Sequence, residues 1–294
     1  LDKKLQALCR QLDGERPGAG ILICDELLAD GATGRLKAIA LRYRASFMLQ
    51  ASEAWAPEAV GYLQEALPRT RRYPVDRAHV LHLFVSAISM YGSPEVAQPY
   101  ADEYFQLAEG TGDPEVRQWI PKVWFNLGCS YASASEWTHA ETPYRRSIDA
   151  ASTDSGGFSP RIPALNLVRV LVKQGRLAEA ETMLAFAKTD LDPQYKWNAW
   201  DQEAQYLLAV GDFATARALC EKVLDDPECP DLVRAETLGT LAQIVHAEGK
   251  VETAGDLLEM AMDLAIRIPS AQLASALTIM KFAFSRKGAP QRHA

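Results

Sequence analysis

His79 and His82 stand three residues apart, a spacing that places two imidazoles on one face of a helix. Two imidazoles are half of a zinc site, which needs three or four ligands in a tetrahedral array. No nearby cysteine, aspartate or glutamate has a third-ligand spacing. The pair therefore reads as polar residues of a binding face, and no metal or other cofactor is expected. Cys129 beside Ser130 is the other chemically suggestive pairing. A reactive thiolate needs a neighbouring base or a helix N-terminus to lower its pKa, and a mid-helix cysteine has neither. No GxSxG, HExxH or phosphate-binding loop occurs. "GERPGAG" (residues 14–20) follows a helix rather than a strand, and "DSGG" (residues 154–157) is followed by a loop. No catalytic residue is expected.

A different constellation remains. Asn126, Asn166 and Gln202 carry amides, each with two donors and an acceptor, which suits them to pair with an extended peptide backbone. Arg169 could take a carboxylate in bidentate fashion. Such groups work only if one scaffold lines them up, and the scaffold is legible. The chain repeats a phrase in which a small residue stands five positions before an alanine that opens an apolar helix. The anchor alanines are Ala19, Ala59, Ala97, Ala140, Ala180, Ala216 and Ala254, at intervals of 36 to 43 residues. The residue five before is glycine at 14, 92, 175, 211 and 249, and alanine or serine at 54 and 135. The residue eight after is apolar in all but Lys188. Each unit reads as helix A, a tight turn and helix B, with small residues allowing close approach of the two helices. Ser93-Pro94-Glu95 and Asp113-Pro114-Glu115 read as helix starts. Pro99 and Pro143 fall inside B helices, where a kink is expected. No run of alternating β-branched residues suggests a strand.

Trp124, Leu127, Gly128 and Tyr131, followed by Ala140 and Tyr144, resemble the tetratricopeptide repeat position by position. Ser135 and Ser147 stand where that family has a turn glycine and a later alanine. Trp200, Gly211 and Ala216 match in a second copy, Gly175, Ala180 and Ala187 in a third, and Gly249, Ala254 and Ala261 in a fourth. The resemblance implies an all-α, right-handed superhelical solenoid of antiparallel helix pairs. The pairs are expected at 1–29, 36–68, 77–109, 114–151, 160–190, 195–226 and 231–267, with a capping helix at 270–286 started by Pro269-Ser270 and stopped by Gly288. One solenoid domain would span 1–294. The period is longer than the family's usual unit and is similar to that of the sensor regions of bacterial transcriptional regulators.

In such a stack the A helices line the concave side. The repeat register places Arg44, Met48, His79, His82, Phe125, Asn126, Asn166, Arg169, Gln202, Gln205, Gln243 and Lys281 there, with Asp201 beside them. The resemblance implies non-catalytic recognition of a peptide or protein in that groove, as the sensor part of a regulator. The alternatives are an assembly scaffold and, less favoured, a peptide-regulated phosphatase-type enzyme. The catalytic bundle of such an enzyme has no room before Gly14. A formal net charge of −7 argues against nucleic-acid binding through these residues, since phosphate contacts need surplus Lys and Arg. The chain begins at Leu1, not a methionine, so a preceding segment such as a DNA-binding domain is to be looked for. Five cysteines with no tight pairing, and no long apolar run, fit a cytoplasmic protein that does not enter membranes. A homodimer is left open.

Overall fold

The computed structural model describes residues 17–52, 55–90, 93–153, 157–268 and 271–287. Its contacts divide the chain into two compact units, Leu1–Phe158 and Ser159–Ala294. The fold class is all-α: antiparallel helix pairs follow one another in each unit, and no strand occurs among the described residues.

In the first unit, α1 (Pro17–Ala29) packs on α2 (Gly34–Ala51). The pairs α2 with α3 (Ala56–Ala66) and α4 (Pro74–Ser89) with α5 (Pro94–Thr111) follow. The short α6 (Pro114–Arg117) leads into the pair α7 (Ile120–Ser133) and α8 (Trp137–Thr153). The second unit has the pairs α9 (Arg161–Lys173) with α10 (Leu177–Lys188), α11 (Lys196–Val210) with α12 (Phe213–Asp225) and α13 (Asp231–Ala247) with α14 (Val251–Arg267). Helix α15 (Ala271–Lys287) covers α14. Successive A helices also touch: α2 meets α4 and α4 meets α7, and in the second unit α9 meets α11 and α11 meets α13.

The anchor register holds at six of the seven alanines; Ala19 is only half-buried, and the neighbouring Gly20 is buried instead. Ala59, Ala97, Ala140, Ala180, Ala216 and Ala254 are all fully buried. Five residues earlier the backbone is left-handed at each described copy: Ser135 (φ 62°), Gly175 (73°), Gly211 (89°) and Gly249 (86°). The next residue's N–H reaches back five positions to close the turn: Glu136 to Tyr131, Arg176 to Leu171, Asp212 to Leu207 and Lys250 to Val245, at 2.8 to 3.1 Å. This is the glycine-favouring helix stop that satisfies a carbonyl left over at the helix end. The corresponding residues 14, 54 and 92 lie outside the described residues, as do the first helix of pair one and Pro269-Ser270, Gly288 and Asp154–Gly156.

One expectation needs correction. The A helix expected from residue 114 is broken at Gln118-Trp119: Pro121 has no N–H to bond the carbonyl four residues back. Both expected helix starts are present: α5 begins at Pro94 behind Ser93, which makes no side-chain cap bond, and α6 begins at Pro114 behind Asp113, which accepts from the Glu115 N–H at 2.8 Å. Helices α5 and α8 each continue through their internal proline, Pro99 and Pro143.

Candidate functional site

Three successive A helices of the first unit, α2, α4 and α7, with α6 and the bend between α6 and α7, line an open-sided cavity of about 690 Å³. His79 and His82 line it together, as their spacing required. They are not poised as metal ligands. Arg42 donates from Nη1 to His79 Nδ1 at 2.6 Å. The His82 ring stacks on Trp119, centroids 4.6 Å apart, and His79 meets the same indole edge-on at 5.8 Å. Burial, then the charges of Lys122 and Arg42, pushes His82 down to about 3, so it is a neutral imidazole at pH 7. Among the described residues, no group of three or more His, Cys, Asp or Glu is placed to hold a metal ion.

The rest of the lining departs from the expected register. Arg44 turns away from the cavity, donating to Asp25 at 2.5 Å and to Glu58 at 3.4 Å, with its guanidinium over the Tyr62 ring. Met48 is 1% exposed and belongs to the core. Helix α2 stands at the cavity's edge and contributes the flank turned toward α4, so Arg42, Ser46 and Leu49 line it instead. Lys122 and Trp119, which the sequence did not single out, complete it. The signal was available: Lys122 stands eighteen residues before its anchor Ala140, as His79 does before Ala97. Phe125 and Asn126 are half-buried on α7. The Phe125 ring packs by Tyr144 and Phe158.

In the second unit, α9, α11 and α13 present the other expected residues. Asn166 donates to the Ile162 carbonyl at 3.2 Å and accepts from Arg169 at 3.1 Å; Arg169 also approaches Glu236 of α13 at 3.9 Å. Gln205 donates to Asp201 at 2.7 Å, and Gln243 to the Gly239 carbonyl at 3.3 Å. All four are half-buried. Gln202 is 8% exposed, with Oε1 buried and unpartnered, so it does not stand on an open face. Asp201 is also buried; burial pushes its carboxyl up, against the hydrogen bonds from Thr240 and Gln205 that lower it. Lys281 is tied to Glu259 on the B helix α14 at 2.7 Å. The amides of Asn126, in one unit, and of Asn166 and Gln202, in the other, thus sit in three different environments.

Four cysteines, Cys24, Cys129, Cys220 and Cys229, lie among the described residues, all as free thiols. Burial pushes the Cys220 and Cys229 thiols up, and Tyr144 donates to Cys129 Sγ at 3.5 Å. No described helix is long and apolar enough to cross a membrane.

No family model matches the chain, and no curated protein matches it. Among solved structures, a tetratricopeptide repeat protein from Parabacteroides merdae is similar, with a TM-score of 0.61 at 15% identity over 94% of this chain and 98% of its own. BtubC from P. vanneervenii matches with a TM-score of 0.49 at 13% identity, over 84% and 96%. Yeast Tom70 matches with 0.46 at 12%, over 97% of this chain and 60% of its own. The first of these shows the fold, which is tetratricopeptide-like.

Proposed function

We propose that this chain, built on the tetratricopeptide-like fold, is a non-catalytic recognition module that holds a peptide or protein partner against its A-helix faces. One observation carries the reading. Asn166, Gln205 and Gln243, on three successive A helices of the second unit, are half-buried and each spends one amide donor on a bond within its own helix. A primary amide has a second donor and two acceptor lone pairs. These three supply spare hydrogen-bonding capacity at intervals along one side, which suits a partner's backbone more than a compact substrate.

The long repeat supports a finer reading, in which the module is the sensor part of a bacterial regulator whose output domain lies elsewhere. The test starts with a partner captured from the source cell by the immobilised chain and identified. Calorimetry then compares wild type with Asn166→Ala/Gln243→Ala and with the exposed B-helix control Glu252→Ala/Asp256→Ala. Each neutral hydrogen bond contributes about 0.5 to 1.5 kcal/mol, so the A-helix pair should weaken binding about 5- to 150-fold. Equal affinities for wild type and the A-helix variant would place the partner elsewhere and end this reading.

A further inference from the structure

Helix α15 closes the second unit as an A-type helix. It touches the preceding A helix, α13, and the B helix α14, and no B helix of its own packs on it among the described residues. One side is core: Leu277 is buried, Met280 and Phe284 pack beside it, and the Phe284 ring stacks on His246 with centroids 3.9 Å apart. Ala276, Ile279, Phe282 and Ala283 form another side, since spacings of three and four set them on one stripe. All four are exposed. Ile279 at 67% and Phe282 at 69% are the most exposed large apolar side chains among the described residues. A helix that ends a solenoid needs a polar outer face to stay in solution. This one presents an apolar seam where a further helix would pack.

We propose that the seam is covered by the same helix of a second copy, in an antiparallel twofold contact centred on Ile279. Ala276 and Phe282 stand three residues to either side of Ile279. An antiparallel pair with Ile279 on the axis therefore lays each Phe282 over the partner's Ala276, large against small. A twofold interface requires this kind of match, because one patch must fit itself. The charges select the same direction. Helix α15 has no acidic residue, and its bases are Lys281, Arg286 and Lys287. Lys281 is paired within its own copy, with Glu259 at 2.7 Å. Arg286 and Lys287 stand at the C-terminal end, so a parallel pair would bring like charges together, which is costly. An antiparallel pair holds them at opposite ends of the seam. The stripe itself carries no charge, so closing it desolvates none.

This contact is separate from partner recognition along the A helices and can fail without it. Sedimentation equilibrium on the whole chain should show a monomer–dimer equilibrium with Kd of about 1 to 100 µM, because one helix face per copy is a small interface. Ile279→Glu/Phe282→Glu should stay monomeric, with the circular dichroism spectrum of wild type. Leu22→Glu, at a 65% exposed residue of the first unit, should dimerise as wild type does. Phe282→Ala should weaken the dimer by about tenfold or more, since each dimer loses two buried rings. Ala276→Phe/Phe282→Ala, which exchanges large and small across the axis, should recover most of that affinity. If the glutamate pair does not fold, Phe282→Ala and the exchange variant decide alone. A wild-type chain still monomeric at about 500 µM would overturn the proposal, as would a dimer unaffected by these changes at Ile279 and Phe282. An exchange variant no tighter than Phe282→Ala would overturn the twofold register. Loss of the dimer in Leu22→Glu, or growth beyond a dimer, would overturn it in favour of a head-to-tail joint.

Discussion

A Cβ placed on Gly128 would lie 2.7 Å from Cδ1 of Tyr144. Helix A and helix B of this pair approach so closely that the tyrosine ring, itself fully buried, occupies the space a side chain would need. The glycine of α7 and the aromatic of α8 are one packing decision made at two positions sixteen residues apart in sequence.

Gly128→Ala is therefore expected to destabilise the fold. Overpacking costs about 1 to 3 kcal/mol, partly offset by the roughly 1 kcal/mol by which alanine favours a helix over glycine. A melting temperature equal to or above that of wild type would show that the ring can move aside. Adding Tyr144→Leu should make the same alanine far better tolerated, a coupling that a double-mutant cycle reads directly.

Ser135→Gly is expected to act in the opposite direction. Ser135 holds φ 62° at a turn where three other repeats have glycine. A left-handed residue with a Cβ costs about 1 to 2 kcal/mol, and the greater freedom of glycine when unfolded returns about 0.5 to 1 kcal/mol of that. A net gain of about 0.5 to 1 kcal/mol should appear in denaturant titration. Gly211→Ala, at φ 89° with open space around the Cβ, should lose stability through the backbone alone.

Asp201 gives the second unit a pH dependence of defined sign. Its folded-state pKa is raised by burial, while the unfolded chain ionises it near about 3.9. Below that value both states hold the proton and the penalty is absent. As pH rises, the unfolded chain releases its proton first, so stability falls until the folded carboxyl also ionises. The loss is about 1.4 kcal/mol for each unit separating the two values. The stability of wild type minus that of Asp201→Asn, measured from pH 3 upward, should decline with pH; a difference that stays flat or rises would show that burial does not control this carboxyl.

Tyr104→Phe should cost about 1 to 3 kcal/mol, the penalty of leaving a buried carbonyl without its donor. The Tyr104 hydroxyl, on α5, donates to the Val116 carbonyl in α6, just before the bend that carries Trp119. Denaturant titration reads the loss directly; a variant as stable as wild type would show that this bond contributes nothing net.

What the sequence determined by itself was everything with a short period. The anchor alanines, the left-handed turns and the Gly128–Tyr144 contact all follow from small residues recurring where backbones must touch, and such residues need no distant partner to be recognised. The pairing of His79 with His82 on one face followed from helical spacing alone. Tertiary structure decided which flank of each A helix meets open space. Arg42 rather than Arg44 faces the cavity because α2 meets α4 with one side and the α1 and α3 side chains with the other, a rotation that a repeat register averages away. Gln202 and Asp201 are polar residues at a groove register, yet neighbouring A helices close over them. Only packing across residues tens of positions apart decides whether such a side chain faces water or the interior.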